Sequence, residues 1–337
     1  MRKQTFATGF VLFYFILPLK TMAASFTSIY VFGDSLSDPG NVSQVTGGLI
    51  PQSLPYLNGR FSNGLNWVDY LGQDLGLNPV PVTKLTSILP KEGINFAFGG
   101  ATTANTNTIP IPGLPGLNQE IETFKSLTSS PDAHSLYVVY AGANDYLGGG
   151  ETNPANPVGN LSQTITSLFN MGARNFLVPN LPDLGNTPLG LSLGSAGSNG
   201  LNFLSAAHNV GLSNALDGLN KSLSGINIIP LDVNSLVKDA INGKLGFTNV
   251  TESCLTNFNF QSPPDFDYNI CDTPDTYLFW DNLHPTTAAN RLVADAALAA
   301  IADNQKSVPE PSEDWGIFAL AALGVGGMLQ HKLAKSH

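Results

Sequence analysis

The stretch Ile29-Tyr-Val-Phe-Gly-Asp-Ser-Leu36 decides the fold of this chain of 337 residues. Its first four residues are all β-branched or aromatic, which favours a buried strand. Gly33 then permits a tight turn, so that Ser35 stands at the carboxyl end of that strand. A Gly-Asp-Ser sequence taken alone is more often an ordinary turn. Whether Ser35 is a catalytic residue therefore depends on the residues that the rest of the sequence places around it.

Short apolar runs alternate with helical patterns along the chain. The predicted strands are 28–32, 94–98, 136–140, 175–179 and 226–231, and the predicted helices are 67–75, 117–127, 161–171, 203–223 and 287–302. This alternation predicts an α/β fold, with a five-stranded parallel sheet between two layers of helices in a flavodoxin-like 2-1-3-4-5 order. Segments 42–61, 185–202 and 243–277 are predicted as loops that decorate the site, since function in such folds collects on loops.

Two further strand ends carry groups that can stabilise a negative oxygen. Gly99-Gly100 follows the second strand, and a glycine lets a backbone N–H approach a ligand closely. Asn144, in Gly142-Ala-Asn-Asp145, follows the third strand and offers a side-chain amide donor. Taken alone, Gly99-Gly100 is more often a flexible strand exit, and Asn-Asp after a glycine is also common turn chemistry.

A fourth motif, Asp281-Asn-Leu-His-Pro285, is more specific. It supplies a carboxylate and an imidazole three residues apart, directly before a helical pattern. Pro285 restricts the backbone after His284, and Asp281 can accept from one ring nitrogen while the other faces a hydroxyl. The body contains two other histidines, His134 and His208, and both are predicted to be surface or capping residues.

The predicted strand order brings these motifs together. Strands two, one and three lie side by side in a 2-1-3-4-5 sheet, so Gly100, Ser35 and Asn144 converge on its carboxyl edge. Asp281 and His284 arrive from the loop after strand five. A serine hydroxyl becomes a strong nucleophile when an oriented base removes its proton. The sequence therefore predicts a serine esterase, with no metal or cofactor required.

These blocks resemble those of the GDSL, or SGNH, hydrolases, in the order that the family shows. The resemblance covers nearly all of residues 25–307, and the sequences around Phe61, Leu181 and Phe279 are similar to its secreted lipase and esterase branch. It implies that Ser35 is the nucleophile, His284 the base and Asp281 the residue that orients it. Gly100 and Asn144 would complete the oxyanion hole with the N–H of Ser35. Gly100 is preferred to Gly99 because Asn95 lies five residues before it, the offset usual in the family.

Two alternatives remain open at this stage. One is a polysaccharide O-acetyl esterase, which would use the same residues on a different ester. The other is a catalytically silent envelope protein that binds polysaccharide in the same cleft.

Both ends of the chain have patterns typical of sorting segments. Residues 1–24 combine a basic start, an apolar run and a final Met-Ala-Ala, as secretory signal peptides do. Residues 308–337 begin Val-Pro-Glu-Pro, continue as an apolar run and end with lysines. They resemble a PEP-CTERM sorting signal, which implies processing by an exosortase; a simple C-terminal membrane tail is the alternative. The sequence thus predicts export, with membrane contact through the C-terminus.

Charge and cysteine content add two constraints. The net charge of −10 makes nucleic acid an improbable partner, because an acidic surface repels phosphates. Cys254 and Cys271 are the only cysteines, and in an exported protein they favour a local disulfide over free thiols or a metal pair.

Overall fold

The computed structural model describes residues 26–259 and 267–307. The β-strands are β1 (Ile29–Gly33), β2 (Val80–Pro81), β3 (Gly93–Asn95), β4 (Leu136–Tyr140), β5 (Asn175–Pro179), β6 (Asn227–Leu231), β7 (Asn249–Ser253), β8 (Leu255–Thr256), β9 (Asn269–Ile270) and β10 (Tyr277–Phe279). The α-helices are α1 (Asn41–Val45), α2 (Trp67–Leu75), α3 (Leu117–Leu127), α4 (Ala143–Leu147), α5 (Ala155–Met171), α6 (Pro188–Ser192), α7 (Gly194–Ser222), α8 (Val233–Ile241) and α9 (Thr287–Ser307).

The main sheet is parallel and has the order β2-β3-β1-β4-β5-β6. The α/β class and the relative order of the five predicted strands are confirmed, but the predicted number of strands is wrong. The additional strand, β2, has two residues, and one of them is Pro81, which cannot donate a hydrogen bond to a neighbour. Such a strand is tolerated at the edge of a sheet, where β2 lies, and leaves almost no pattern in the sequence.

Side chains alternate between two apolar cores, one on each face of the sheet. Along β4, Leu136, Val138 and Tyr140 belong to one core, and Tyr137 and Val139 belong to the other. Both sets are buried because helices cover both faces, as expected for a parallel sheet. Helices α2 and α9 pack on the first face, and α3, α5 and α7 pack on the second. The three-layer α/β/α architecture follows from this arrangement.

The segment 185–202 is not the loop that its glycine and serine content predicts. Most of it forms α6 and the first turns of α7. The small residues serve close packing instead: a Cβ on Gly185 would lie 1.9 Å from the carbonyl oxygen of Ser198, whose hydroxyl donates to Gly185 O over 2.8 Å. The segments 42–61 and 243–277 contain only short elements where they are described.

Helices α2 and α9 hold the two halves of the predicted site together. Asn290 of α9 accepts a hydrogen bond from the backbone N–H of Trp67 (3.1 Å), and the Trp67 indole N–H donates to Ser37 Oγ (3.1 Å). This path runs from the helix after the Asp281–Pro285 motif to the turn that carries Ser35. It therefore holds Ser35 and the Asp281–Pro285 motif, which are far apart in sequence, in a fixed relative position.

The predicted signal peptide (1–24) and sorting segment (308–337) lie outside the described residues. Within the ranges that the structure does describe, none of the helices combines the length and hydrophobicity needed to cross a bilayer.

Candidate active site

Ser35 lies on a tight turn directly after β1. Gly33 ends the strand with φ +155°, and a Cβ at this position would lie 2.1 Å from the carbonyl oxygen of Tyr140 in β4. Only glycine permits this approach of the two strands. The turn is closed by Ser37 N–H donating to Asp34 O (3.0 Å) and by Leu36 N–H donating to the Asp34 carboxylate (3.1 Å).

His284 and Asp281 are fixed by their own loop before α9. One carboxylate oxygen of Asp281, Oδ1, accepts from the N–H groups of Leu283 (2.8 Å) and His284 (2.7 Å). The other, Oδ2, accepts from His284 Nδ1 over 2.8 Å. The carbonyl of His284 accepts from the N–H of Trp280 (2.7 Å), which closes the loop on itself. The spacing of three residues is what allows one carboxylate to hold both the backbone and the ring.

The structure brings Ser35, His284 and Asp281 into one hydrogen-bonded series. His284 Nε2 lies 2.8 Å from Ser35 Oγ, the distance that proton transfer from the hydroxyl requires. All three residues are buried to more than nine-tenths of their surface. Burial acts to raise the pKa of Asp281, but the charge and hydrogen bonds of His284 outweigh it and leave this pKa below the ordinary value. Asp281 is therefore ionised at neutral pH and can stabilise a protonated imidazole.

Groups that could donate to an oxyanion lie at the end of β1 and at the ends of its two neighbours, β3 and β4. Within the described residues, the backbone N–H groups of Ser35 and Gly100 donate to no protein acceptor, whereas the N–H of Gly99 is taken by Asp38 (2.9 Å). This difference favours Gly100 over Gly99. Asn144 donates one amide hydrogen to the carbonyl of Ala101 (3.1 Å), which leaves its second hydrogen available. Asn144 lines one cavity together with Ser35 and His284.

Tyr56 is a site residue that the sequence did not reveal. Its buried hydroxyl donates to Asp281 Oδ2 over 2.8 Å, the same oxygen that accepts from His284. Burial, reinforced by the charge of Asp281, raises the pKa of Tyr56 well above its usual value, so the hydroxyl remains a donor. Tyr56 comes from a segment without strand or helix periodicity, and no local signal marks it.

Glu120 is a second residue that was missed, and here a signal existed. It occupies the apolar stripe of α3 with Leu117, Ile121 and Phe124, where a carboxylate is out of place. The side chain is buried and accepts from the N–H groups of Gly33 (2.8 Å) and Phe98 (3.2 Å). It therefore ties together the strand ends that lead to Ser35 and to Gly100.

Asp34 and His208 are further buried titratable groups near the site. Burial raises the pKa of Asp34 to about 7. His208 was predicted to be a surface or capping residue, but it is completely buried behind Gly142, and its Nδ1 lies 2.9 Å from the hydroxyl of Tyr146. Burial lowers the pKa of His208 to about 4, so the ring is neutral and serves packing. His134 lies at the surface.

Cys254 and Cys271 form a disulfide, with their Cα atoms 4.9 Å apart. Cys254 belongs to a small buried cluster with Tyr56, Leu255 and Trp280, against which Cys271 packs. The bridge therefore supports the residues next to Asp281. Among residues 26–259 and 267–307, no three histidine, cysteine or carboxylate side chains are grouped as metal ligands are.

An α/β fold with this site at the carboxyl edge of its sheet defines a carboxylic ester hydrolase, and the comparison with known families agrees. A family model described as GDSL-like Lipase/Acylhydrolase matches residues 29–297. The chain belongs to this family. Two GDSL esterase/lipase proteins of Arabidopsis thaliana are 27% and 28% identical to it; the alignments cover 84% and 82% of this chain and 84% and 86% of the relatives.

Solved structures show a weaker likeness. An inhibitor-bound aryl esterase of M. smegmatis aligns with 84% of this chain and with its own whole length, at 16% identity and a TM-score of 0.44.

Proposed function

We propose that this protein is an exported serine ester hydrolase that cleaves carboxylic esters through an acyl-enzyme. The observation that carries the proposal is the continuous series Ser35 Oγ, His284 Nε2, His284 Nδ1 and Asp281 Oδ2, with 2.8 Å at each contact between residues. Such a series in a buried setting activates a hydroxyl toward an acyl carbon.

In the first half of the reaction, Ser35 Oγ attacks the carbonyl carbon while His284 Nε2 takes the hydroxyl proton. The negative charge that forms on the carbonyl oxygen is stabilised by the N–H groups of Ser35 and Gly100 and the second amide hydrogen of Asn144. Asp281 stabilises the protonated ring. When the tetrahedral intermediate collapses, His284 returns the proton to the leaving alcohol, and the acyl group stays on Ser35.

The second half repeats these steps with water as the nucleophile. His284 removes a proton from the water, the new oxyanion uses the same three donors, and Ser35 leaves with the proton from His284. The products are a carboxylic acid and free enzyme.

The test is hydrolysis of short p-nitrophenyl esters by the wild type, Ser35→Ala and His284→Ala. Both variants should lose nearly all turnover, and Ser35→Ala should also lose covalent labelling by a fluorophosphonate. Ser130→Ala and His134→Ala are matched controls, because both residues are exposed and lie outside the site. Retained turnover in both site variants refutes the assignment. A folded wild type that neither turns over esters nor becomes labelled would instead be a silent binding protein.

Export is part of the same proposal and has its own test. Residues 1–24 would direct secretion, and residues 308–337 would be processed by an exosortase-type enzyme after membrane contact. The disulfide supports an oxidising compartment, because such bridges rarely persist in the cytosol. Terminal mass analysis of the protein from its native host should find both ends removed. An intact N-terminus in the cytosolic fraction contradicts export.

A further inference from the structure

A cavity of about 80 Å³ lies beside the candidate nucleophile, between α8, β10 and α9. Ser35, Asn144 and His284 line it, so it is part of the site and not a separate void. The volume is several times the roughly 10–15 Å³ that a single water needs. A group larger than one water therefore fits next to the reacting hydroxyl.

The wall of this cavity is almost entirely carbon. Helix α8 contributes Val237 and Ala240, β10 contributes Phe279, and α9 contributes Leu292 and Val293. Of these, Ala240 and Phe279 are buried, and the other three are half-buried. An enclosed wall of this kind stabilises hydrocarbon by removing it from water.

Apart from Ser35, Asn144 and His284, which face the ester group itself, the polar residues in the wall already have partners. Asp183 accepts from the side-chain amide of Asn234 (2.8 Å), and Asn290 bonds the N–H of Trp67 and the carbonyl of Thr286 through its two amide atoms. Sugar hydroxyls placed along the carbon wall formed by α8, β10 and α9 would lose their water with few protein donors or acceptors to replace it, which is unfavourable. The wall therefore selects against a carbohydrate group.

We propose that this cavity binds the acyl chain of the substrate. The cavity holds several water volumes, so the enzyme should prefer linear acyl chains of about six to eight carbons over acetyl. The inference rests on the proposed function. The acyl group is assigned to the cavity because it stays bonded to Ser35 in the acyl-enzyme, whereas the alcohol must leave to solvent. A cavity walled mostly by carbon suits the hydrocarbon chain that stays.

Chain length gives the first measurement. Each buried methylene contributes about 0.8 kcal/mol, or roughly fourfold in kcat/KM. The wild-type full chain should therefore cleave p-nitrophenyl octanoate at least tenfold faster, in kcat/KM, than the acetate. This profile requires no variant, so it is decisive even where a substitution disturbs folding.

A filled cavity gives the second measurement. Val237→Phe places a ring at a half-buried cavity position and should lower kcat/KM for the octanoate at least tenfold while leaving the acetate within about threefold, because only the longer chain competes for the space lost. Val210→Phe is the matched control: Val210 is 64% exposed on α7 and does not line the cavity. It should leave both esters unchanged.

The outcomes separate the two levels of proposal. Turnover with a flat or acetyl-preferring profile overturns the inference but leaves the ester hydrolase intact, and faster release of acetyl from acetylated xylan would then favour polysaccharide deacetylation. Equal losses on both esters in Val237→Phe also overturn it. No turnover on any ester, with no labelling of Ser35, overturns the proposed function and the inference together.

Discussion

Tyr56→Phe tests whether the hydroxyl that reaches Asp281 supports catalysis. The change removes one oxygen and leaves the ring, which packs edge-on against Trp280 with centroids 6.4 Å apart. The lost hydrogen bond joins a buried hydroxyl to an ionised carboxylate over 2.8 Å. Bonds of this kind contribute about 1.5–3 kcal/mol. If the transition state loses the lower part of that range, kcat/KM falls roughly tenfold.

The pH profile distinguishes this role from simple packing. Removing a donor from Asp281 makes its anion less stable, so the pKa of Asp281 rises from its lowered value. Since Asp281 must be ionised to orient His284, the acid side of the kcat/KM profile should move to higher pH in Tyr56→Phe. The measurement is kcat/KM for one p-nitrophenyl ester at closely spaced pH values between about 4 and 9, a range set by ordinary carboxyl and imidazole pKa values.

Tyr277→Phe is the matched control for this variant. Tyr277 packs against the same buried cluster, and its hydroxyl makes no hydrogen bond within the described residues. It should keep the wild-type rate and profile. A Tyr56→Phe enzyme with kcat/KM within twofold of the wild type and an unmoved acid limb would refute the reasoning, and an equal loss in both variants would assign the effect to packing.

Three other predictions concern the support of the site. Glu120→Gln replaces one acceptor oxygen by a donor that faces a backbone N–H. We therefore expect a loss of about 1–3 kcal/mol in the free energy of unfolding, measured in urea, and a lower kcat/KM in ester assays. The control Glu122→Gln, at an exposed position of the same helix, should change neither quantity. The double variant Cys254→Ala and Cys271→Ala removes a disulfide that joins residues 17 positions apart. The free energy of unfolding in urea should fall by about 3 kcal/mol, and an unchanged midpoint would contradict this. Burial raises the pKa of Asp34 to about 7, so between about pH 4 and 7 the folded state keeps a proton that the unfolded state releases. The contribution of this group to the free energy of unfolding is therefore complete below about pH 4 and is lost as the pH rises through about 7. Calorimetry should therefore show Tm falling over this range, less steeply in Asp34→Asn, and equal slopes in both proteins would disprove the contribution.

The strands and the residues at their ends could be predicted because each is a local pattern. The run before Gly33 and the apolar run 136–140 are continuous and bounded by turns, which fixes both their type and their position. Parallel order then determines which strand ends are neighbours, so Ser35, Asn144 and His284 could be placed in one cleft before any contact was known. The spacing of Asp281 and His284 is likewise local.

What could not be predicted depends on tertiary contacts. The edge strand at Pro81 is too short to show periodicity, and the start of α7 is helical although its composition favours a loop, because small residues there pack closely on Gly185. Tyr56 reaches Asp281 across 225 residues of chain, and no spacing rule covers that distance. Glu120 is intermediate: its helix was predicted, and a charge in the apolar stripe could have been read as a buried role.

The hydroxyl of Ser35 and the imidazole of His284 are separated by 249 positions, and the packing of α2 on α9 links the two segments that carry them. A chain in which α9 is not docked on the sheet would carry an inert alcohol at Ser35. In refolding experiments, the onset of ester hydrolysis should therefore report the docking of α9.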